Sequence, residues 1–254
     1  RKFPGDKHVR IIPAIDLKDG VCVRLFKGDF DKVTEYSSNP AALAERFSAL
    51  AVEDLHIVDL DGARTGTQEN HGIVREIAQA TGLSVQLGGG IRTVEDVTAW
   101  LSNGVARCVV GSIAIKEPAT VMTWLEEFGD DAIVLALDVK LAEDGTPMLT
   151  AQGWTEDTGT SLWECIDVYG GAGIRHVLCT DVARDGAMSG PNFQLYAEIL
   201  QRYPALQLQA SGGVRDIDDL ELLREIGAPA AITGRALLDG EITEAEVATF
   251  RRSE

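Results

Sequence analysis

The sequence has few residues of the types that build metal sites or disulfide frameworks. Its four cysteines, Cys22, Cys108, Cys165 and Cys179, are widely spaced and form no Cys-x-x-Cys pair, and its four histidines show no metal-ligand spacing. This pattern predicts free thiols in a reducing cytoplasm and no metal site. We therefore expect a cytoplasmic protein.

Long apolar runs and positive charge are also scarce. No apolar run approaches the ~18 residues that a membrane span needs, and the polar residues 1–8 lack the apolar centre of a signal peptide, so we interpret them as an N-terminal extension. Lysine and arginine number 23 against 40 acidic residues, a formal net charge of −17. This balance argues against nucleic acid or an anionic membrane as partner. An anionic ligand would need local donors, against the field of the whole protein.

Short β-branched runs alternate with amphipathic stretches from one end of the 254 residues to the other. This alternation is typical of a parallel sheet with crossover helices. Helix starts are marked by Asn39-Pro40, by Thr93 and by the capping box Thr243–Glu246. The eight predicted strands lie near Val9–Ile15, Leu55–Val58, Ser84–Leu87, Arg107–Val110, Ile133–Val139, His176–Cys179, Gln207–Ala210 and Ala230–Thr233. With eight helical segments and no linker between them, they predict one (β/α)8 barrel domain over residues 1–254.

An internal repeat supports the barrel. The segment around Asp16 resembles the segment around Asp138, 122 residues later, and Asp59 pairs with Asp181 at the same offset. The motif that starts at Gly89 recurs 123 residues later at Gly212, and Gly111 pairs in the same way with Gly234. Four features in one order, at offsets of 122 or 123 residues, predict a TIM barrel made of two repeated half-barrels, each with four βα units.

Asp16 and Asp138 each stand at the end of an apolar strand. The carboxyl ends of the strands form the active face of such a barrel, so both side chains should point into its mouth from opposite sides. Burying a carboxylate there is costly unless it has a partner or a role. One alternative is structural, with each aspartate capping a loop or pairing with Lys18 or Lys140. As a pair without metal ligands nearby, they suit general acid–base catalysis, with one protonated and one ionised.

Glycine clusters follow four of the strands and predict two phosphate sites. Glycine allows close approach of the backbone to an anion, and barrels commonly bind phosphate after the seventh and eighth strands. The same arrangement after the third and fourth strands predicts a second phosphate on the opposite rim. A branched side chain at Gly90 or Gly213 is expected to block that approach; the alternative is that these glycines only permit tight turns. The clusters are Gly88-Gly89-Gly90, Gly111-Ser112, Ser211-Gly212-Gly213 and Gly234-Arg235.

Several other residues are weaker candidates. Arg24, Arg92 and Arg184 could neutralise substrate charge or form surface ion pairs. The stretch from Leu141 to Trp154, with Asp144-Gly145 at its turn, predicts an extended hairpin over the mouth. Trp154 could stack on a heterocycle or anchor that loop. Asp185-Gly186 lies in the loop after the sixth strand. There Asp185 is either a site residue or part of an ordinary Asp-Gly turn.

Taken together, these motifs resemble the phosphoribosyl isomerase family of histidine biosynthesis, from Val9 onward. The resemblance implies an Amadori rearrangement, from aminoaldose to aminoketose, of a bis-phosphorylated phosphoribosylformimino aminoimidazole carboxamide ribotide, without metal or organic cofactor. The residues that carry it are Ile11–Gly20, Val23-Arg24-Leu25, Lys27-Gly28-Asp29, Gln86–Arg92, Cys179-Thr180-Asp181, Arg184-Asp185-Gly186 and Ser211-Gly212-Gly213.

The resemblance also implies roles for individual residues. Asp16 matches the family's general base, which takes a proton from C2 of the ribose. Asp138 matches the residue usually assigned as general acid, and Thr180 and Asp185 match positions near the reacting sugar, so the acid could be Asp138 or Asp185. Trp154 and Arg24 remain candidate substrate contacts. We expect a monomer whose partner is the small bis-phosphate substrate.

Three alternatives stay open. The paralogous cyclase, the imidazole glycerol phosphate synthase subunit that works with a glutaminase, has the same repeat but typically a lysine where Arg24 stands, and it lacks the Arg-Leu-x-x-Gly-Asp run. A dual-substrate isomerase would also rearrange phosphoribosylanthranilate for tryptophan synthesis. A non-catalytic phosphate-binding barrel would bind without turnover, and the paired aspartates speak against it.

Overall fold

Eight parallel strands close into a barrel in a computed structural model that describes residues 8–26, 29–50, 52–151 and 156–252. The sheet strands within these residues are β1 (Arg10–Lys18), β2 (Val21–Phe26), β3 (Asp29–Ser37), β4 (Asp54–Asp59), β5 (Ser84–Gly88), β6 (Arg107–Val110), β7 (Ile133–Leu141), β8 (Pro147–Ala151), β9 (Glu156–Ser161), β10 (His176–Asp181), β11 (Gln207–Ser211) and β12 (Ala230–Thr233). The barrel strands are β1, β4, β5, β6, β7, β10, β11 and β12. The ring closes because β10 pairs in parallel with both β7 and β11, and β12 pairs with β1. The predicted (β/α)8 fold is confirmed.

Eight helices of 9–11 residues, with three shorter ones, connect the strands in the described part of the chain. They are α1 (Pro40–Ala49), α2 (Leu60–Thr65), α3 (His71–Ala80), α4 (Val94–Ser102), α5 (Ser112–Lys116), α6 (Pro118–Phe128), α7 (Leu162–Gly170), α8 (Phe193–Arg202), α9 (Ile217–Ile226), α10 (Arg235–Leu238) and α11 (Glu244–Arg252). All three predicted starts are confirmed. Asn39 accepts a hydrogen bond from the amide of Ala42, and reciprocal capping bonds form at Thr93 and at Thr243.

Two antiparallel excursions extend the sheet, one after the first strand of each half. The hairpin β2–β3 follows β1, and β8 and β9 follow β7. The hairpin predicted from Leu141 is confirmed, with the amide of Thr146 donating to the Asp144 carboxylate over 2.9 Å at its turn. Trp154, predicted at its far end, lies outside the described residues. Strands β2, β3 and β9 were not predicted. The polar sequences of β3 and β9 lack the apolar alternation of buried strands. The apolar sequence of β2 entered the sequence analysis only as part of the motif around Arg24.

Two apolar layers hold the barrel. The larger one packs the outer faces of the strands against the helices and includes the fully buried rings of Trp100, Tyr169 and Tyr196. The smaller one fills the barrel interior with side chains such as Val134 and Leu178. The interior below the active face is therefore a packed core, as is usual for this fold. No helix within the described ranges is long and apolar enough to cross a lipid bilayer.

The repeat is visible in the geometry of equivalent residues. The side chain of Asn70 donates to Asp59 over 2.7 Å, and Asn192 donates to Asp181 over the same distance. Each asparagine follows its aspartate by 11 residues. Each aspartate ends a barrel strand and accepts this bond in a buried position, where an unpaired carboxylate would be costly. The two half-barrels thus brace their second βα loops with the same polar pair.

Candidate active site

The predicted acid–base residues line one cavity of about 280 Å³ at the carboxyl ends of the barrel strands. Asp16 and Asp138 come from β1 and β7, on opposite sides of the barrel, and Thr180 comes from the end of β10. Asp185 reaches the same cavity from the loop after β10. The cavity also includes Arg24, His56, Gly88 and Ser211 in its lining. The expectation that strand-end aspartates converge on the mouth therefore holds in the structure.

Asp16 is buried and forms an ion pair with Arg24. The Arg24 Nη1 atom donates to Asp16 Oδ2 over 2.9 Å, and both side chains are less than 15% exposed, at 14% and 12%. The two residues meet because β2 folds back antiparallel on β1. Burial raises the pKa of Asp16, which Arg24 opposes and the nearby Asp185 reinforces. The alternative partner Lys18 instead binds Asp19, over 2.8 Å.

Arg24 lies between two carboxylates. Its Nη2 atom is 3.7 Å from Asp185 Oδ1, and its buried Nε has no hydrogen-bond partner among the described residues. A Cβ added at Gly234 would lie 3.0 Å from the guanidinium carbon, so the glycine leaves the space that the arginine occupies. The guanidinium group of Arg24 thus lies between Asp16, at the end of a strand, and Asp185, in a loop.

Asp138 and Thr180 are neighbours across β7 and β10. They occupy paired positions in the parallel register, and Thr180 is paired on its other side with Ser211 of β11. Thr180 is buried, whereas Asp138 is partly exposed. Asp138 and Asp185 both face the cavity, so the structure leaves both as candidates for the general acid.

A second, narrower cavity of about 20 Å³ adjoins the first on the rim of the second half. Arg24, Asp185 and Ser211 line both cavities. The guanidinium of Arg235 also lines it and donates to Asp239 over 2.8 Å and to the Gly186 carbonyl over 3.0 Å. The predicted second-half cluster is thereby brought together around one cavity that contains Ser211, Gly212, Gly213, Gly234 and Arg235.

The first-half cluster is arranged differently. Gly89, Gly90, Gly111 and Ser112 border neither of the two cavities described above. Ser112 is exposed at the start of α5. Arg92 is also exposed, donates to the Ala63 carbonyl over 3.4 Å and lines neither cavity. Arg184 likewise donates to the Gly190 carbonyl, over 2.8 Å, and lines neither of the two cavities.

The expected effect of a side chain at Gly90 or Gly213 needs correction. Gly90 has φ +75° and Gly213 has φ +90°. A Cβ at Gly90 would lie 2.9 Å from the Gly62 carbonyl oxygen, and one at Gly213 would lie 2.5 Å from that of Gly190. A branched side chain would therefore meet the protein backbone before any ligand. Both glycines are required by loop packing, whatever else they do.

His56 is a cavity residue that the sequence analysis did not single out. It lies on β4 and is only 8% exposed, and its Nδ1 is 3.1 Å from Gln86 Nε2. Burial, with Arg24 nearby, lowers its pKa to about 4, so the ring is neutral at pH 7. The sequence feature that could have identified His56 is its position as the single polar residue in the apolar run Leu55–Val58.

The described residues contain no cluster of three or more His, Cys, Asp or Glu side chains suited to a metal ion. The four cysteines are free and buried. The family model described as "Histidine biosynthesis protein" matches residues 10–243, which include every cavity residue named above. The chain belongs to this family. Members of the family are enzymes of histidine biosynthesis and include both the isomerase and the cyclase barrels.

Proposed function

We propose that this member of the histidine biosynthesis family is the isomerase that converts the bis-phosphorylated aminoaldose into the aminoketose by an Amadori rearrangement. One observation carries the proposal: Asp16, paired with Arg24, faces a single cavity that Asp138 and Asp185 also line. An ionisable base on one side and an acid on the other suit proton transfers at adjacent carbons of a sugar.

In the proposed reaction, a carboxylic acid at Asp138 or Asp185 protonates the ring oxygen of the ribose. The C1–O bond breaks, and the amine nitrogen supplies the electron pair that makes the open-chain iminium ion. Asp16 then removes the proton from C2, which gives an enaminol. To complete the ketose, the C2 hydroxyl gives its proton to the carboxylate left by the first step, C1 takes a proton from solvent, and Asp16 releases its proton to solvent. Every step is therefore a proton transfer or a bond shift within the substrate, and both carboxyl groups return to their starting forms.

The electrostatics support Asp16 as the base. Burial raises its pKa above the ordinary value, which makes its carboxylate a stronger base than a solvated one. Arg24 opposes that rise and so favours the ionised form that a base needs. The second-half cavity, with Arg24 and Arg235 in its lining, would take one substrate phosphate. The first-half rim around Ser112 would take the other.

The cyclase of the same family is the other candidate. Arg24, which pairs with Asp16, stands where the resemblance leads us to expect lysine in the cyclase. This pairing favours the isomerase, because a planar guanidinium can bind Asp16 and approach Asp185 at once. If the protein also rearranges phosphoribosylanthranilate, it is a dual-substrate isomerase.

The test is an assay of the purified chain with the histidine-pathway aminoaldose, without added metal or a glutaminase partner. Formation of the aminoketose supports the proposal. A parallel reaction with phosphoribosylanthranilate decides between one substrate and two. Formation of the imidazole product from the aminoketose and ammonia, with no isomerisation of the aminoaldose, would replace the proposal with the cyclase.

A further inference from the structure

Two glutamines bind each other across the barrel interior. Gln86 on β5 and Gln209 on β11 occupy equivalent positions of the repeat, and they are only 0% and 2% exposed. Gln86 Nε2 donates to Gln209 Oε1 over 2.6 Å, and Gln209 Nε2 donates to Gln86 Oε1 over 2.9 Å. Neither amide can rotate by itself without setting two donors or two acceptors against each other, so each fixes the orientation of the other.

Only one half of the barrel uses this pair to contact a cavity residue. Gln86 Nε2 also lies 3.1 Å from Nδ1 of His56. In the other half, the residue equivalent to His56 is Leu178, which lines the same cavity but cannot hydrogen-bond. The two glutamines are equivalent in the repeat, but only Gln86 contacts a histidine that lines the cavity.

The orientation of the Gln86 amide decides which nitrogen of His56 carries the proton. An amide nitrogen is only a donor, so the Nδ1 atom beside it must accept. The ring then carries its proton on Nε2. A neutral imidazole in this tautomer is a fixed N–H donor, in the cavity that also contains Asp16.

We infer that Gln86 and Gln209 are positioning residues that hold His56 as the Nε2–H tautomer, so that its N–H group donates to a hydroxyl oxygen of the bound sugar. The role of that N–H group rests on the proposed isomerase function. The tautomer itself does not, because it concerns only contacts within the protein.

The direct test is nitrogen NMR on protein labelled with ¹⁵N-histidine. The chain has only four histidines, and His56→Leu, which copies the second half of the barrel, assigns the His56 signals. Two-bond proton–nitrogen correlations distinguish the two tautomers. The Nε2–H pattern for His56 in the wild-type protein at pH 7 is the expected result. An Nδ1–H pattern would overturn the inference.

The role of the pair is tested with Gln209→Met, which has a similar volume and no donor or acceptor. Without its partner, Gln86 can reverse its amide, so we expect a mixture of His56 tautomers and a loss of turnover of roughly tenfold, as for one hydrogen bond. Gln207→Met, two residues earlier on β11, is the matched control and should change neither quantity. An unchanged tautomer and unchanged turnover in Gln209→Met would overturn the inference.

The two failures can be told apart. If the protein does not isomerise the aminoaldose but Gln209→Met alters the His56 tautomer, the proposed function fails and the positioning role stands. If the protein isomerises the aminoaldose with His56 in the Nδ1–H form, the function stands and the inference fails. Should Gln209→Met not fold, the wild-type tautomer still decides.

Discussion

Replacing Arg24 with methionine tests the electrostatics of the site, because it removes the cation between Asp16 and Asp185 and keeps much of the apolar bulk of the side chain. At an effective dielectric constant of ~20, unit charges separated by the 2.9 Å that joins Arg24 and Asp16 attract by about 6 kcal/mol. The net effect is smaller, because the buried guanidinium also has a desolvation cost. A hydrogen bond to a charged group contributes about 1.5–3 kcal/mol net. We therefore expect turnover at pH 7 to fall roughly 10- to 150-fold.

The pH dependence of this variant separates the charge from the contact. Burial raises the pKa of Asp16 and Arg24 opposes the rise, so removing Arg24 should raise that pKa further. The ionised base then forms only at higher pH, and the acid limb of the kcat profile should move to higher pH. Turnover should recover in part as the pH increases. Arg24→Lys, which retains the charge, should keep the acid limb close to that of the wild type.

The assay is steady-state kinetics with the aminoaldose from about pH 5 to pH 9 on the wild type and both variants. Because Arg24 also lines the second-half cavity, KM is expected to rise in the methionine variant as well. The reasoning is refuted if Arg24→Met loses turnover by the same factor at every pH, since that would assign Arg24 to binding or geometry alone.

Three further predictions follow from individual contacts. Asp138→Asn and Asp185→Asn should both lower kcat, and the variant with the larger loss identifies the general acid; two variants that retain full turnover would remove both residues from the mechanism. Ser112→Asp should raise KM for the bis-phosphate several-fold by charge repulsion, whereas Ser112→Asn, which is isosteric with the aspartate variant but neutral, should not. Equal KM values for these two variants would mean that the first-half glycine cluster only forms tight turns. Gly90→Ala should lower the free energy of unfolding by about 1–3 kcal/mol, because of its positive φ and the Gly62 carbonyl nearby; denaturant melting that matches the wild type would contradict this.

The sequence was sufficient to predict the barrel because each half repeats the same markers. The offsets of 122 residues between Asp16 and Asp138 and of 123 residues between Gly89 and Gly212 identified strand ends that alternation alone would have left ambiguous. The fold then dictated that the strand-end aspartates share one face, and both line the cavity. A local sequence pattern could thus be placed in the structure where a general rule of barrel geometry says where such a pattern lies.

What the sequence did not predict depends on contacts between distant segments. The pairing of Arg24 with Asp16 needs the β2 strand to fold back on β1, and nothing in the neighbouring sequence specifies that partner. His56 reaches the cavity only because its face of β4 points inward. The packing role of Gly90 depends on the Gly62 carbonyl, which approaches from another βα loop. The spacing of residues along the sequence does not give the distance between such segments in space. These features therefore became visible only in the three-dimensional structure.

The central claim is that Asp16 moves the C2 proton of an aminoaldose, and Asp16→Asn tests it most directly. Because burial raises the pKa of Asp16, its ionised form lowers stability as pH rises above the ordinary aspartate range, so the neutral asparagine should unfold at no lower a temperature at pH 7. Substrate affinity, measured by calorimetry, should be retained. In D₂O the wild type should give aminoketose with deuterium at C1, and the variant should form it roughly 100- to 10,000-fold more slowly. A folded variant that retains more than about a tenth of wild-type turnover would contradict the account.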